Sequence, residues 1–424
     1  MSHRHRILFV VENVTLAQVV RLAWLGAQLP SAEYEVHFAS SGFDPLVFSG
    51  LPFRQHAIHS LPKEQVFELM RRGKRLYERA TLERYVKSDL LVIDSVRPDF
   101  IIGDFRLSLN VSAEVAGVPW AGLINAYWSP YAVREGFPVP DHPIVNLLGE
   151  SLTARYFPRA LPRVFSHFAQ PVNAVRRRRG LAEVGSLLEV LTYGDYTLYP
   201  EEPWMVPTRG LPGSHAFLGP VLWEPAVPLP PLPADGRPLV YLTLGSSGDV
   251  DCMGAVVRAL ERMPLTVVVA TAVRVGTRRW PSNFIVCDYV PGQQLARRAA
   301  LVIGNGGSST GYQALAAGTP LLGLPSNLDQ FLTMQYLEKT GAVLQVKARE
   351  ATELSVSQAV QRLLQEDAYR NAARAVAARL APTDTAERFR TWLRGVLNAS
   401  ATTENTGVTH PEASPEPDRQ TSMP

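Results

Sequence analysis

Residues 302–330 read VIGNGGSSTGYQALAAGTPLLGLPSNLDQ, and the fold follows from how this stretch is parsed. The apolar run at 300–303 predicts a buried strand, and Gly304-Asn305-Gly306-Gly307-Ser308-Ser309-Thr310 predicts a tight polar turn. A helix should follow as far as Ala317, where Gly318-Thr319-Pro320 ends it, and a second apolar run at 321–324 returns as a strand. Strand, glycine turn and helix in succession gather backbone N–H groups and the positive end of a helix dipole at one point, which suits a phosphate. Ser308, Ser309 and Thr310 add hydroxyl donors there. A glycine turn can also be backbone punctuation alone, so the weight falls on what surrounds it.

The same alternation extends outward in both directions. Strands are expected at 239–244, 265–270 and 284–287, with helices at 252–262 and 293–299. Residues 224–233, EPAVPLPPLP, hold five prolines, too many for helix or sheet, and read as a semi-rigid linker. Before the linker, Ile7-Leu8-Phe9-Val10-Val11 is a strand buried on both faces, followed by a helix at 16–29 and a strand at 34–39. Residues 62–89 are basic and helical; apolar runs at 90–93 and 100–103 then bracket Arg97-Pro98-Asp99. The run at 100–103 is a strand that delivers Asp104 at its carboxyl end, where open α/β sheets place functional groups. The fold class is therefore α/β, with two Rossmann-like domains. We place them at 1–222 and 237–383, joined by a linker at 223–236. A last helix at 384–398 is expected to pack back on the first domain, and a polar, disordered tail at 399–424 to follow it.

Composition excludes several classes. A chain of 424 residues exceeds one ordinary core. With 46% hydrophobic and 19% charged residues it is a globular protein, and a net charge of +3 gives no footing for nucleic acid. Cys252 and Cys287 stand far apart without ligand spacing, which argues for reduced thiols and no metal site. No run of about 18 apolar residues and no leader-like segment is present, so a cytoplasmic protein is expected. Residues 125–180 break the rhythm: Tyr127, Trp128, Tyr131, Phe137, Phe157, Phe165 and Phe168 stand among scattered prolines. They read either as the wall of an apolar ligand site, with Tyr127, Trp128 and Phe137 as the acceptor-binding candidates, or as core filling around long loops. The arginine run at 176–179 suits a solvated helix end and also allows a peripheral contact with an anionic membrane.

These motifs together resemble nucleotide-sugar glycosyltransferases of the GT-B fold, the family of macrolide, UDP-glucuronosyl and plant secondary-product glycosyltransferases. Asp288-Tyr289-Val290-Pro291 stands where the family has an aromatic-x-Pro-Gln segment that receives the nucleobase, which implicates Tyr289 and Val290. Asn305, Gly306, Gly307, Ser308, Ser309 and Thr310 stand where the family has a His-x-Gly-x-Asn-Ser/Thr diphosphate site. Gln313 falls where a Glu often bridges the ribose hydroxyls, and Asp329-Gln330 matches the pair that holds donor-sugar hydroxyls. Gly245-Ser246 matches another phosphate neighbour. In the first half, residues 97–104 resemble the Pro-Asp-(apolar)-x-Asp segment whose last Asp orients a catalytic His. The position matching that His is occupied by Gln18.

The resemblance implies an inverting transfer of a sugar from a UDP or dTDP donor to a small, apolar, hydroxylated acceptor such as a natural product or lipid, with no cofactor or metal. A GT-B epimerase, or an auxiliary protein that binds a nucleotide sugar without catalysis, are the alternatives. Gln18 has no useful proton affinity, and Asn305 cannot carry the charge of an imidazole. A carboxylate with a raised pKa in a closed cleft can act as base. Asp104 is the first choice and Glu12, directly after the first strand, the second.

Overall fold

Two parallel sheets carry the computed structural model, which describes residues 4–138, 150–245, 248–272 and 279–406. The first contains β1 (His5–Val11), β2 (Tyr34–Ser40), β3 (Arg54–Ala57), β4 (Phe100–Asp104), β5 (Trp120–Leu123), β6 (Tyr196–Tyr199) and β7 (His215–Phe217), in the order β3-β2-β1-β4-β5-β6-β7. The second contains β8 (Leu239–Thr243), β9 (Thr266–Ala270), β10 (Phe284–Cys287), β11 (Leu301–Gly304), β12 (Leu321–Gly323) and β13 (Val343–Gln345), in the order β10-β9-β8-β11-β12-β13. The expected α/β class with two parallel sheets is what forms. Each central strand is apolar on both faces: Ile7, Leu8, Phe9, Ile101, Ile102, Leu242 and Ile303 are fully buried.

Strand order reverses between β1 and β4 in the first sheet and between β8 and β11 in the second, and crevices form at such points. Register brings Val11 opposite Asp104, and Thr243 opposite Gly304. The loops that leave these strand ends therefore border the two crevices.

Ten helices matter below: α1 (Leu16–Ala27), α2 (Lys63–Arg71), α3 (Arg79–Val96), α4 (Leu109–Ala116), α5 (Glu150–Arg178), α6 (Leu187–Leu191), α7 (Gly292–Arg298), α8 (Ser308–Ala316), α9 (Leu328–Leu337) and α10 (Thr385–Thr406). Helix α10 lays Phe389 and Trp392 on the first sheet, with ring centroids 6.5 Å from Phe9 and 5.8 Å from Phe100. No helix among the described residues is long and apolar enough to cross a membrane.

Four expectations change. The apolar run at 90–93 is the end of α3, not a separate element; only one side of it is buried, with Ile93 at 4% exposure and Leu91 at 65%. The irregular insertion at 125–180 is largely the single helix α5, despite Pro158, Pro162 and Pro171. Pro158 and Pro162 lie on its exposed side. Short β3 and β13 were not anticipated, because a strand of three or four residues carries too little periodicity to register, nor was helix α9, which is buried nearly all round and so lacks a polar face. Helix α10 runs to Thr406, beyond the expected end at 398, since residues 399–406 contain no Gly or Pro to stop it and Gly407 comes next.

Candidate active site

The glycine turn is built by backbone constraint. Gly306 adopts φ +77°, and a Cβ there would lie 3.0 Å from Met334 Cγ. Gly307 donates its N–H to Asn305 Oδ1 at 3.1 Å and is the N-cap of α8, so no cap side chain covers the first-turn N–H groups. Asn305, Gly307, Ser308, Ser309 and Thr310 line one cavity of about 680 Å³ between the sheets, while Gly306 shapes the turn from behind. Tyr289, Val290, Gly245 and Gln313 line the same cavity. Gln313 donates from Nε2 to the Trp223 carbonyl at 2.5 Å, which engages one end of its amide. Ser246 lies outside the described residues.

Across the cleft, Asp104 is fully buried at the end of β4 and accepts from Arg21 Nε and Nη2, both at 3.0 Å. Arg21 Nη1 continues to Asn125 Oδ1 at 2.7 Å, and Asn125 Nδ2 to Glu201 Oε1 at 2.5 Å. Burial pushes the Asp104 carboxyl up to about 6 in spite of the arginine, and Glu201 up to about 7. Arg21, Asp104 and Asn125 line the cavity.

Gln18 also faces the cavity, with Oε1 accepting from Thr15 N at 3.0 Å and Thr15 Oγ1 at 3.2 Å. It is the third residue of α1 reaching back to the cap, and Thr15-x-x-Gln18 is a capping-box pattern legible in the sequence. Arg21 went unread. It shares the Gln18 face of α1 at i+3, but nothing in sequence marks a helix arginine as the partner of a strand-end carboxylate.

The structure removes Glu12 from the site. Its carboxylate is fully buried behind the cleft and accepts from Arg106 Nη1 at 2.8 Å and Tyr85 OH at 3.0 Å, while Arg106 also binds Asp89 Oδ1 at 2.8 Å. The carboxylate one position past β1 is here part of a sealed ion-pair cluster, because β1 ends at Val11 and Val14 is the first residue of that loop to reach the cavity.

Two acceptor expectations are also corrected. Tyr127 is fully buried and donates from its hydroxyl to Asp329 Oδ1 at 3.2 Å, so it joins the two domains rather than lining a ligand wall. Phe137 packs behind the wall, with centroids 5.0 Å from Phe165 and 6.4 Å from Trp128. Trp128 does line the cavity, and its Nε1 donates to Asp329 Oδ1 at 2.8 Å. Asp329 and Gln330 are on the wall as well, and burial raises the Asp329 pKa. Further in, the wall turns apolar: Phe67, Leu76 and Leu82 face Phe157, Leu161, Phe165 and Phe168 of α5. Tyr77 stands among them, 4% exposed, its hydroxyl without a hydrogen-bond partner. Burial first, and the nearby Glu12 charge second, raise its pKa and keep its proton on.

Two parallel α/β units facing each other across one cleft, with a glycine turn at the helix end on one side, are the architecture of the GT-B fold. The family model "Erythromycin biosynthesis protein CIII-like, C-terminal domain" matches residues 243–412. Among curated proteins, a "PGL/p-HBAD biosynthesis rhamnosyltransferase" of Mycobacterium bovis (strain BCG / Pasteur 1173P2) is 44% identical over 377 residues, 88% of this chain and 83% of its own length. The solved structure of "Spinosyn Forosaminyltransferase SpnP" superposes with a TM-score of 0.67 at 18% identity, over 93% of this chain and 100% of its own. That of "glycosyltransferase VinC in complex with DTDP" gives 0.63 at 19% identity, over 94% and 99%. The chain belongs to this glycosyltransferase family.

Proposed function

We propose that the chain transfers a sugar from a UDP or dTDP donor to a hydroxyl of a small acceptor with an apolar body, with inversion at the anomeric carbon. The observation that carries this reading is the single cavity, in which the glycine turn, the Asp104 carboxylate and an apolar compartment open into one space. The first-turn N–H groups of α8, with Ser308, Ser309 and Thr310, stabilise the leaving diphosphate without a metal or other cofactor. Asp329 and Gln330 hold donor-sugar hydroxyls. Asp104 takes the acceptor proton: Arg21 occupies one lone pair on each of its oxygens, and a carboxylate has more than two. Trp128 and Tyr77 place the acceptor. The rhamnosyltransferase relative makes rhamnose the first sugar to test and PGL/p-HBAD intermediates the first acceptors.

The test is to incubate the purified chain with UDP- or dTDP-rhamnose and hydroxylated acceptors of graded alkyl length, with and without a chelator. Mass spectrometry would report transfer, and NMR coupling the anomeric configuration. One observation favours the second reading, a donor-binding protein without catalysis: both Asp104 oxygens are held by Arg21. Nucleoside diphosphate binding by calorimetry with no transfer and no donor hydrolysis in any pairing would select it. Product formed without acceptor, as an isomerised donor, would mark an epimerase.

A further inference from the structure

Helix α5 has two faces with different tasks. Phe157, Leu161, Val164, Phe165, Phe168 and Val172 line the apolar compartment. Tyr156, Arg159, Arg163 and His167, at spacings of three and four on the opposite side, are exposed, Tyr156 by 56%. Charge is concentrated around the same compartment. Segments 63–87 and 150–179 contain 15 Lys and Arg against five Asp and Glu, whereas the rest of the chain has 27 against 34. Three of the five acids are matched inside these segments: Glu68 by Arg72, Glu78 by Arg75, and Glu83 by Arg79 and Arg178. One arginine is not part of the surface: Arg176 is buried and bonded to backbone carbonyls. Lys63, Lys74, Arg84, Lys87, Arg159, Arg163 and Arg179 are exposed on this side of the molecule.

We propose that this face, the outer side of α5 with the neighbouring α2–α3 segment, docks on an anionic lipid bilayer and admits the acceptor's apolar tail from it. The inference rests on the reading of the apolar compartment as the acceptor's. A bilayer offers anionic headgroups to the arginines and hydrocarbon to the compartment behind them, so one helix serves both contacts. A nucleic acid would match the charge alone and leave the apolar inner face unexplained.

The experiment co-sediments the full chain with vesicles of phosphatidylglycerol and phosphatidylcholine, and with phosphatidylcholine alone, at low and high salt. Binding confined to the anionic vesicles and weakened by salt is expected. A basic residue near an anionic surface adds roughly a factor of five in affinity, so Arg159→Glu/Arg163→Glu should bind at least about tenfold more weakly. The same variant, shown folded by an unchanged thermal midpoint, should keep its turnover on a short-chain, water-soluble acceptor and lose it on a long-chain acceptor held in vesicles. Equal sedimentation with both vesicles, retention of binding by the double variant, or binding to RNA but not to anionic vesicles would each overturn the proposal. Vesicle binding by a chain that transfers sugar to no acceptor would instead leave the surface standing and remove the functional reading.

Discussion

Asp104 and Glu12 end neighbouring strands with the same chemistry, yet Asp104 faces ligand space and Glu12 faces Arg106. Asp104→Asn should lower kcat by about 10²–10⁴-fold, the range of a lost general base, with nucleoside diphosphate affinity unchanged by calorimetry. Glu12→Gln should keep kcat among the molecules that fold while lowering stability by about 3 kcal/mol or more, because Arg106 loses a buried partner. A denaturant titration alongside the kinetics separates the two cases; equal kcat losses would put the base elsewhere. With Asp104 pushed up to about 6, the ionised base disappears as pH falls, so kcat/KM should drop on the acid side of about pH 6. A flat profile from pH 5 to 8 would remove Asp104 from that role.

At the level of elements, the β11–α8 turn and the link from segment 127–137 to α9 do the positioning. Gly306→Ala strains a left-handed backbone position and presses on Met334, so it should cost about 1–3 kcal/mol of stability and weaken diphosphate binding. The second connection is reinforced by Thr333 Oγ1 to Tyr127 OH at 2.9 Å and Tyr336 OH to the Val133 carbonyl at 3.0 Å. Trp128→Phe keeps a ring but removes the donor to Asp329, so KM for the nucleotide sugar should rise several-fold while affinity for the bare nucleoside diphosphate stays put. A parallel loss of both would mean that Trp128 only holds the fold. Legibility followed periodicity. The turn and its flanking strand and helix were readable because each has a local chemical reason, whereas α5 was not: its three prolines argue against a helix in sequence, and only the tertiary structure puts two of them, Pro158 and Pro162, on an exposed side.

For the molecule as a whole, the buried carboxylates set how stability depends on pH. The Asp104 and Glu201 values in the fold, about 6 and about 7, exceed their ordinary 3.8 and 4.5. The folded chain therefore keeps protons that the unfolded chain has released. The stability this contributes is fully present below about pH 4 and is lost as pH rises through 6 and then 7. The thermal midpoint should fall from pH 5 to pH 8 on this account, and Glu201→Gln should flatten the upper part of that slope. A tenfold difference in proton affinity between folded and unfolded chain corresponds to about 1.4 kcal/mol, so an unchanged slope in the variant would be plain in calorimetry. Removal of residues 385–406 should expose Phe9 and Phe100 and leave an aggregation-prone chain, measurable by light scattering.

The sheet class, the glycine turn and each motif of the family resemblance rest on short local patterns, such as buried runs, a glycine-rich turn and clustered prolines. Such patterns act through local backbone sterics and burial, and so survive in one dimension. Three assignments needed long-range packing: which of two equivalent carboxylates faces ligand, that Arg21 pairs with Asp104 across 83 positions, and that Tyr127 bonds to Asp329 across 202. A side chain's charge is written in the sequence. Whether it meets solvent, a ligand or a buried counter-charge depends on which distant elements close around it.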